Sequence, residues 1–284
     1  LDSDGGNISF ASTIDGGQAL SLDAGGGTID FGDSVGTGND LTSLVTTGTT
    51  GTINLDQDIT TTGIQTYTGP VSLSNDPTLT SSANGLISFS STVNGASSLS
   101  VSSGNGGLTF GSTVGDTTPL NSISTSGTTG TITLTGDVET TGTQTYIGPV
   151  SLVADSTLTT VDSLLTFSST VDGGQALDIT TGTGGVTFSG IVGSTPLTSL
   201  GTTNTTGTIT IGNNITTSGT QIYNGPVVFN SFITLSTTGT TDTDDITFAN
   251  TVTASTDSLD INVASLGDVT FGDGSGTDTV SGIN

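Results

Sequence analysis

The chain has 284 residues, only 30% of them hydrophobic, and a formal charge of −25 from 25 acidic residues with no lysine, arginine or histidine. Without basic side chains it cannot displace phosphate counterions, which excludes nucleic acid as a partner and disfavours anionic membrane surfaces. The absence of cysteine excludes disulfides and thiol chemistry, and no apolar run approaches the length of a membrane span, so no membrane insertion is expected.

Low hydrophobicity with high charge is the usual mark of disorder. Here, however, the apolar residues are β-branched or aromatic and fall in short, regular runs. The first is Ile8-Ser9-Phe10, apolar–polar–apolar, the period of a half-buried strand. Ala19-Leu20-Ser21-Leu22, Ile29-Asp30-Phe31, Leu41-Thr42-Ser43-Leu44 and Ile53-Asn54-Leu55 follow. Next comes Gln65-Thr66-Tyr67-Thr68-Gly69-Pro70-Val71-Ser72-Leu73, then Thr78-Leu79-Thr80. Gly, Thr, Ser and Asp fill the intervals, where turns need positive φ or side-chain bonds to the backbone. No stretch carries helical spacing, so every element is expected to be a strand.

The set then recurs. Tyr67 returns at Tyr146 after 79 residues and at Tyr223 after 77, each time within Gln-x-Tyr-x-Gly-Pro-Val. Ile8-Ser9-Phe10 returns as Ile87-Ser88-Phe89, Leu165-Thr166-Phe167 and Ile246-Thr247-Phe248. Ile29-Asp30-Phe31 returns as Leu108-Thr109-Phe110, Val186-Thr187-Phe188 and Val269-Thr270-Phe271. Such a period is the signature of an array. The super-repeats span residues 6–83, 84–162 and 163–240, with a partial fourth at 241–284. The residues at the ends, with Leu1 in place of Met, read as a piece of something longer.

Within a super-repeat the anchors Phe10, Phe31, Leu55, Leu73 and Phe89 stand 21, 24, 18 and 16 residues apart, a mean close to 20. A coil of that length with two or three short strands is what a β-solenoid requires. Residues 1–284 are therefore expected to form a single continuous parallel β-helix, about 20 residues per coil, four coils per 79-residue super-repeat and about 14 coils in all. An array of immunoglobulin-like sandwiches, one per super-repeat, has similar turn spacing. The very short strands and the lack of Trp and Cys favour the solenoid.

With Gln-Thr-Tyr-x-Gly-Pro-Val-Ser-Leu, the Ile-x-Phe triplets and Gly-Gly-Gln-Ala-Leu (Gly16–Leu20, Gly173–Leu177) in view, the chain resembles the repeat regions of filamentous-haemagglutinin-like bacterial surface proteins and giant adhesins. The resemblance spans nearly the whole chain at the level of repeat style. It implies a right-handed β-helix shaft, exported and displayed or shed as a fibre.

No catalytic residue is expected, because nucleophilic catalysis lacks its usual base, His, and a carboxylate pair would lack the cationic neighbours that usually assist it. The densest acidic clusters are Asp2-Ser3-Asp4 and Asp242-Thr243-Asp244-Asp245, with Asp273 and Asp278 near the end. Asp2, Asp4, Asp242, Asp244 and Asp245 are the candidate metal ligands, for Ca²⁺ held by carboxylate and carbonyl oxygens; the alternative is solvated turn Asp. Asp15, Asn94 and Asp172 are equivalent in the repeat, as are Asp58, Asp137 and Asn214. Exchange between Asp and Asn points to a turn role. Tyr67, Tyr146 and Tyr223 with Gln65, Gln144 and Gln221 read either as a repeated sugar-stacking patch or as a buried corner. Threonine runs such as Thr46-Thr47-Gly48-Thr49-Thr50 suggest the ladders of ice-binding solenoids, but uneven intervals are expected to spoil the register.

The function expected is that of a structural, acidic, cation-dependent segment of an extracellular fibre, sheath or adhesin stalk at the cell surface. It would associate with further copies or with neighbouring repeats of a longer chain. The alternative is an adhesin binding module that recognises glycans or a surface receptor.

Overall fold

The computed structural model describes residues 1–254, 259–264, 266–272 and 280–281; Asp273 and Asp278 lie outside them. Among the described residues every element is a short strand, every pairing is parallel, and no helix occurs. The chain is a β-solenoid whose strands stack about 21 residues apart. It divides into two compact units, Leu1–Thr140 and Thr141–Asn284.

In Leu1–Thr140 each turn of the chain has three sides. The first stacks Ile8–Phe10, Ile29–Phe31, Ile53–Leu55, Val71–Leu73 and Val93–Asn94, so that Phe10, Phe31, Leu55 and Leu73 occupy successive rungs. The second stacks Ala19–Leu22, Ser43–Thr46, Gln65–Tyr67, Ile87–Phe89, Leu108–Phe110 and Ile132–Leu134. The third begins with single bridges at Ile14 and Val35 and continues through Ile59–Thr61, Thr78–Ser81, Ser98–Ser102 and Ser122–Ser124. Alternation decides which residues point inward: in triplet after triplet the outer two are buried and the middle one half-exposed. A strand of three residues has no interior of its own. Stacking supplies one, and each rung pairs its backbone with its neighbours.

The anchor series differs from expectation at one point. Phe89 does not follow Leu73; Val93 takes that rung on the first side, and Phe89 lies on the second, between Tyr67 and Phe110. From Ile8–Phe10 to its copy Ile87–Phe89 the chain passes along eleven sides, counting the bridges at Ile14 and Val35. Eleven over three is three and two-thirds turns, one side short of four coils. Over 79 residues that gives about 21.5 per turn, which agrees with the strand spacing. A triplet and its sequence copy therefore face different directions.

Thr141–Asn284 repeats the pattern. One side carries Gln144–Tyr146, Leu165–Phe167, Val186–Phe188, Ile209–Ile211, Val227–Phe229 and Val252–Ala254. Another carries Val150–Leu152, Val171–Asp172, Val192–Leu197, Ile215–Thr217, Ile233–Thr237 and Leu259–Asn262. The remaining side carries Ser156–Thr160, Ala176–Thr180, Ser199–Gly201, Gln221–Tyr223, Ile246–Phe248 and Val269–Phe271. Here too the copies Leu165–Phe167 and Ile246–Phe248 stand on different sides.

Aromatic rings mark the phase. Tyr67, Phe89 and Phe110 form a stacked column with centroids 5.1 and 5.5 Å apart. Tyr146, Phe167 and Phe188 form another at 5.5 and 5.3 Å, and Tyr223, Phe248 and Phe271 a third at 5.2 and 5.1 Å. Parallel, in-register strands bring like residues onto neighbouring rungs, and offset stacking adds to the area each ring buries.

Candidate functional site

Three repeated features carry polar chemistry: a buried Gln–Tyr pair, a set of Asp and Asn residues at the corners, and outward ladders of hydroxyls. The first begins from the alternation of Gln65–Tyr67, which turns Gln65 and Tyr67 inward and leaves both with no exposed surface. A buried amide must be hydrogen-bonded. Gln65 Nε2 donates to Thr80 O at 2.8 Å and Ile59 O at 3.2 Å, while Tyr67 Oη donates to Gln65 Oε1 at 2.9 Å. The arrangement recurs. Tyr146 Oη lies 3.0 Å from Gln144 Oε1, whose Nε2 donates to Thr159 O at 2.9 Å. Tyr223 Oη lies 2.8 Å from Gln221 Oε1, whose Nε2 donates to Ser236 O at 2.8 Å. Burial pushes all three phenols well above their usual pKa range. These tyrosines cannot serve as a sugar-stacking platform. The pair is an internal brace that ties one side of the coil to the next.

The corner residues are acceptors for the following rung. Asp15 Oδ1 accepts from Gly38 N at 2.8 Å, Asn94 Oδ1 from Thr117 N at 3.1 Å, and Asp172 Oδ1 from Thr195 N at 3.0 Å. Asp58 Oδ1 accepts from Thr78 N and Asn214 Oδ1 from Thr234 N, each at 2.8 Å. Asp76, Asp155 and Asp162 do the same for Ser98, Ala176 and Thr183. Donation by the backbone and then the hydroxyl of Thr183 holds the exposed Asp162 carboxyl below its ordinary pKa. The exchange of Asp and Asn between repeats follows directly, since either supplies the oxygen. After Asn94 and Asp172 a glycine follows, because the chain leaves the acceptor at positive φ, +133° at Gly95 and +139° at Gly173. A Cβ there would meet Leu73 O at 2.3 Å or Leu152 O at 2.1 Å.

The candidate metal ligands are placed as follows. Asp2 accepts from Asp4 N at 2.9 Å and forms a parallel bridge with Asp23. Asp244 is buried, its two oxygens taking the backbone N–H and the hydroxyl of Thr241 at 2.7 and 2.9 Å. Asp245, turned the other way by alternation, accepts from Asp268 N at 2.8 Å, and Asp242 is exposed. Asp2 and Asp4 belong to one unit, the other three to the second. Among the described residues no three acidic side chains converge to hold a metal, and no pocket opens.

The uneven intervals do not break the outward ladders, contrary to expectation. Corners absorb the differences in length and the strands of these ladders stay in register; on another side the register shifts between Val192–Leu197 and Ile215–Thr217. Thr66, Ser88, Thr109 and Thr133 occupy successive rungs in one unit, and Thr145, Thr166, Thr187 and Thr210 in the other. No protein-family model, curated protein or solved structure matches the chain.

Proposed function

We propose that the chain is a structural segment of an extracellular fibre, sheath or adhesin stalk, in the style of filamentous-haemagglutinin-like repeats, and not an enzyme. One observation carries this reading: the repeated Gln–Tyr pairs and the corner Asp and Asn residues are spent on holding rungs together. The tyrosine–glutamine pairs are internal, the corner carboxylates accept from the next rung's backbone, and the buried side-chain nitrogens and oxygens among the described residues all have partners. Backbone ladders on every side of a unit resist extension, since each rung must be stripped from two neighbours.

The 25 carboxylates face no side-chain cation, so cations from the medium balance the charge where copies approach one another, and Ca²⁺ does so more effectively than Na⁺. Light scattering of the chain with Ca²⁺, then with chelator, against NaCl of equal ionic strength tests this dependence. Association that responds to ionic strength alone refutes a special role for Ca²⁺. The location and the fibre are tested together by immunogold electron microscopy of the native cells. Label along surface filaments is expected; label confined to the cytoplasm rejects the reading.

A further inference from the structure

Acidic residues are spread along the chain, yet one side of each unit has four successive rungs from which they are missing; in Leu1–Thr140 the clear stretch begins beyond Ala19–Leu22, which Asp23 follows directly. Around Gln65–Tyr67, Ile87–Phe89, Leu108–Phe110 and Ile132–Leu134, the strand and the two residues on either end contain no Asp or Glu. The same holds around Gln144–Tyr146, Leu165–Phe167, Val186–Phe188 and Ile209–Ile211. The outward residues there are the two hydroxyl ladders, all half-exposed, with Ile64 and Leu86 exposed along the edge of the first and Leu164 along the second. Other sides differ. Asp30 and Glu139 point outward from strands on the first side of Leu1–Thr140, and Asp58 directly precedes a strand on the third. Asp172, Asp178 and Asp260 lie in strands on the other sides of Thr141–Asn284. The two clear faces are sequence copies, one in the second super-repeat's register and one in the third's. The flanking copies are not clear: Asp30 stands in one, and Asp245 and Asp268 border the other.

We infer that each acid-free hydroxyl ladder is a binding surface for an extended, uncharged polysaccharide laid along the rungs. Four rungs in parallel register at ~4.8 Å make a row ~14 Å long, which suits an extended glycan laid along it. Threonine offers a hydroxyl and a methyl at each step, matching a sugar chain that alternates hydroxyls with C–H surface. The bordering Ile64, Leu86 and Leu164 add apolar contact. A polyanionic glycan is repelled by a chain with no cation, while a neutral one meets no such barrier.

A second copy of the chain fits this face less well. Each ladder with its flanks covers only about 250 Å², far below the roughly 800 Å² per partner of a stable interface. Facing sheets sit ~10 Å apart, close to the Debye length of ~8 Å at physiological salt. The corner acids of both copies, Asp137 and Asp162 among them, would repel across that gap. This inference rests on the fold and not on the fibre reading.

The test is co-sedimentation of the whole chain with amorphous cellulose and with chitin, against alginate gel as the extended but anionic comparison. Binding to at least one neutral polymer and none to alginate is expected. Thr109→Asp and Thr187→Asp together should weaken it by at least ~10-fold, because the ligand would strip water from unpaired carboxylates. Ser72→Asp, outward on the side that carries neither ladder, should leave binding unchanged, and circular dichroism should report all variants folded. Failure to bind either neutral polymer, equal binding to alginate, or indifference to the double substitution overturns the inference. So does a chain that sediments as a dimer and becomes monomeric on the same substitution.

Discussion

Tyr67 Oη donates to Gln65 Oε1 at 2.9 Å between side chains that reach no solvent, and Gln65 Nε2 spans to Thr80 O on the adjoining side of the coil. A buried polar pair is worth little net when complete and is expensive to break. Tyr67→Phe leaves one amide oxygen without a donor and should destabilise by about 1–2 kcal/mol in urea titration. Gln65→Leu strips the phenol and two carbonyls and should destabilise by more. The double variant should lose less than the sum; strict additivity would show that the two side chains do not act as a pair.

The same burial gives an alkaline limit. A phenol whose folded pKa is raised contributes stability that is intact below the unfolded value, about 10, and is lost as pH rises beyond it toward the folded value. The chain has three tyrosines, all wholly buried. Phenolate absorbance should therefore appear only with loss of β-sheet circular dichroism, starting above pH ~10. Phenolate forming while the fold persists would contradict the burial.

Corner acceptors should distinguish oxygen from charge. Asp172→Asn keeps an oxygen for Thr195 N and should change stability by less than ~0.5 kcal/mol, while Asp172→Ala should lose about 1 kcal/mol. At Asp162 the lowered carboxyl pKa sets the sign on acidification: its contribution is present above the ordinary carboxylate range and disappears as pH falls through the folded value. Melting of Asp162→Asn should accordingly depend less on pH below ~4 than that of the unaltered chain.

Two glycines offer a matched comparison. Gly173→Ala forces a Cβ against Leu152 O at a positive φ and should destabilise by at least ~2 kcal/mol, if the chain folds. Gly26 has open space and an ordinary φ, so Gly26→Ala should be neutral or stabilising by up to ~1 kcal/mol. Equal effects would mean that the close approach of neighbouring rungs does not decide the residue.

Phe89 sits in the middle of the Tyr67–Phe89–Phe110 column with 1% exposure. Phe89→Ala should remove about 3–5 kcal/mol. Phe10, half-buried on its rung and stacked on one side only, should lose distinctly less on the same change.

Strand positions and the solenoid were legible because Ile-Ser-Phe, Ile-Asp-Phe and Ile-Asn-Leu alternate cleanly between turn residues. The rung order of Phe10, Phe31 and Leu55 followed from their spacing. The place of Phe89 did not, because its distance from Leu73 resembles one turn, while the corners that fix the count of sides vary in length and carry no apolar signal. Gln65 and Tyr67 read in the sequence either as a buried corner or as a surface patch, and the structure bears out the first; the polarity of Gln65 left its interior position undecided. Aligning Gln-Thr-Tyr on the neighbouring Ile-Ser-Phe would have exposed it, since the middle residue faces out in both. The Asp–Asn exchange at position 94 gave the corner role correctly, although nothing local identified the backbone N–H that each oxygen receives.

The offset between module and turn also bears on how such chains change in copy number. Recombination that drops or duplicates one 79-residue module removes or inserts eleven sides, and the ladders close again because every side accepts the same triplets. What lies downstream is then rotated by a third of a circle, so a surface patch can be re-aimed without altering a single residue within it, and only a change of three modules brings it back.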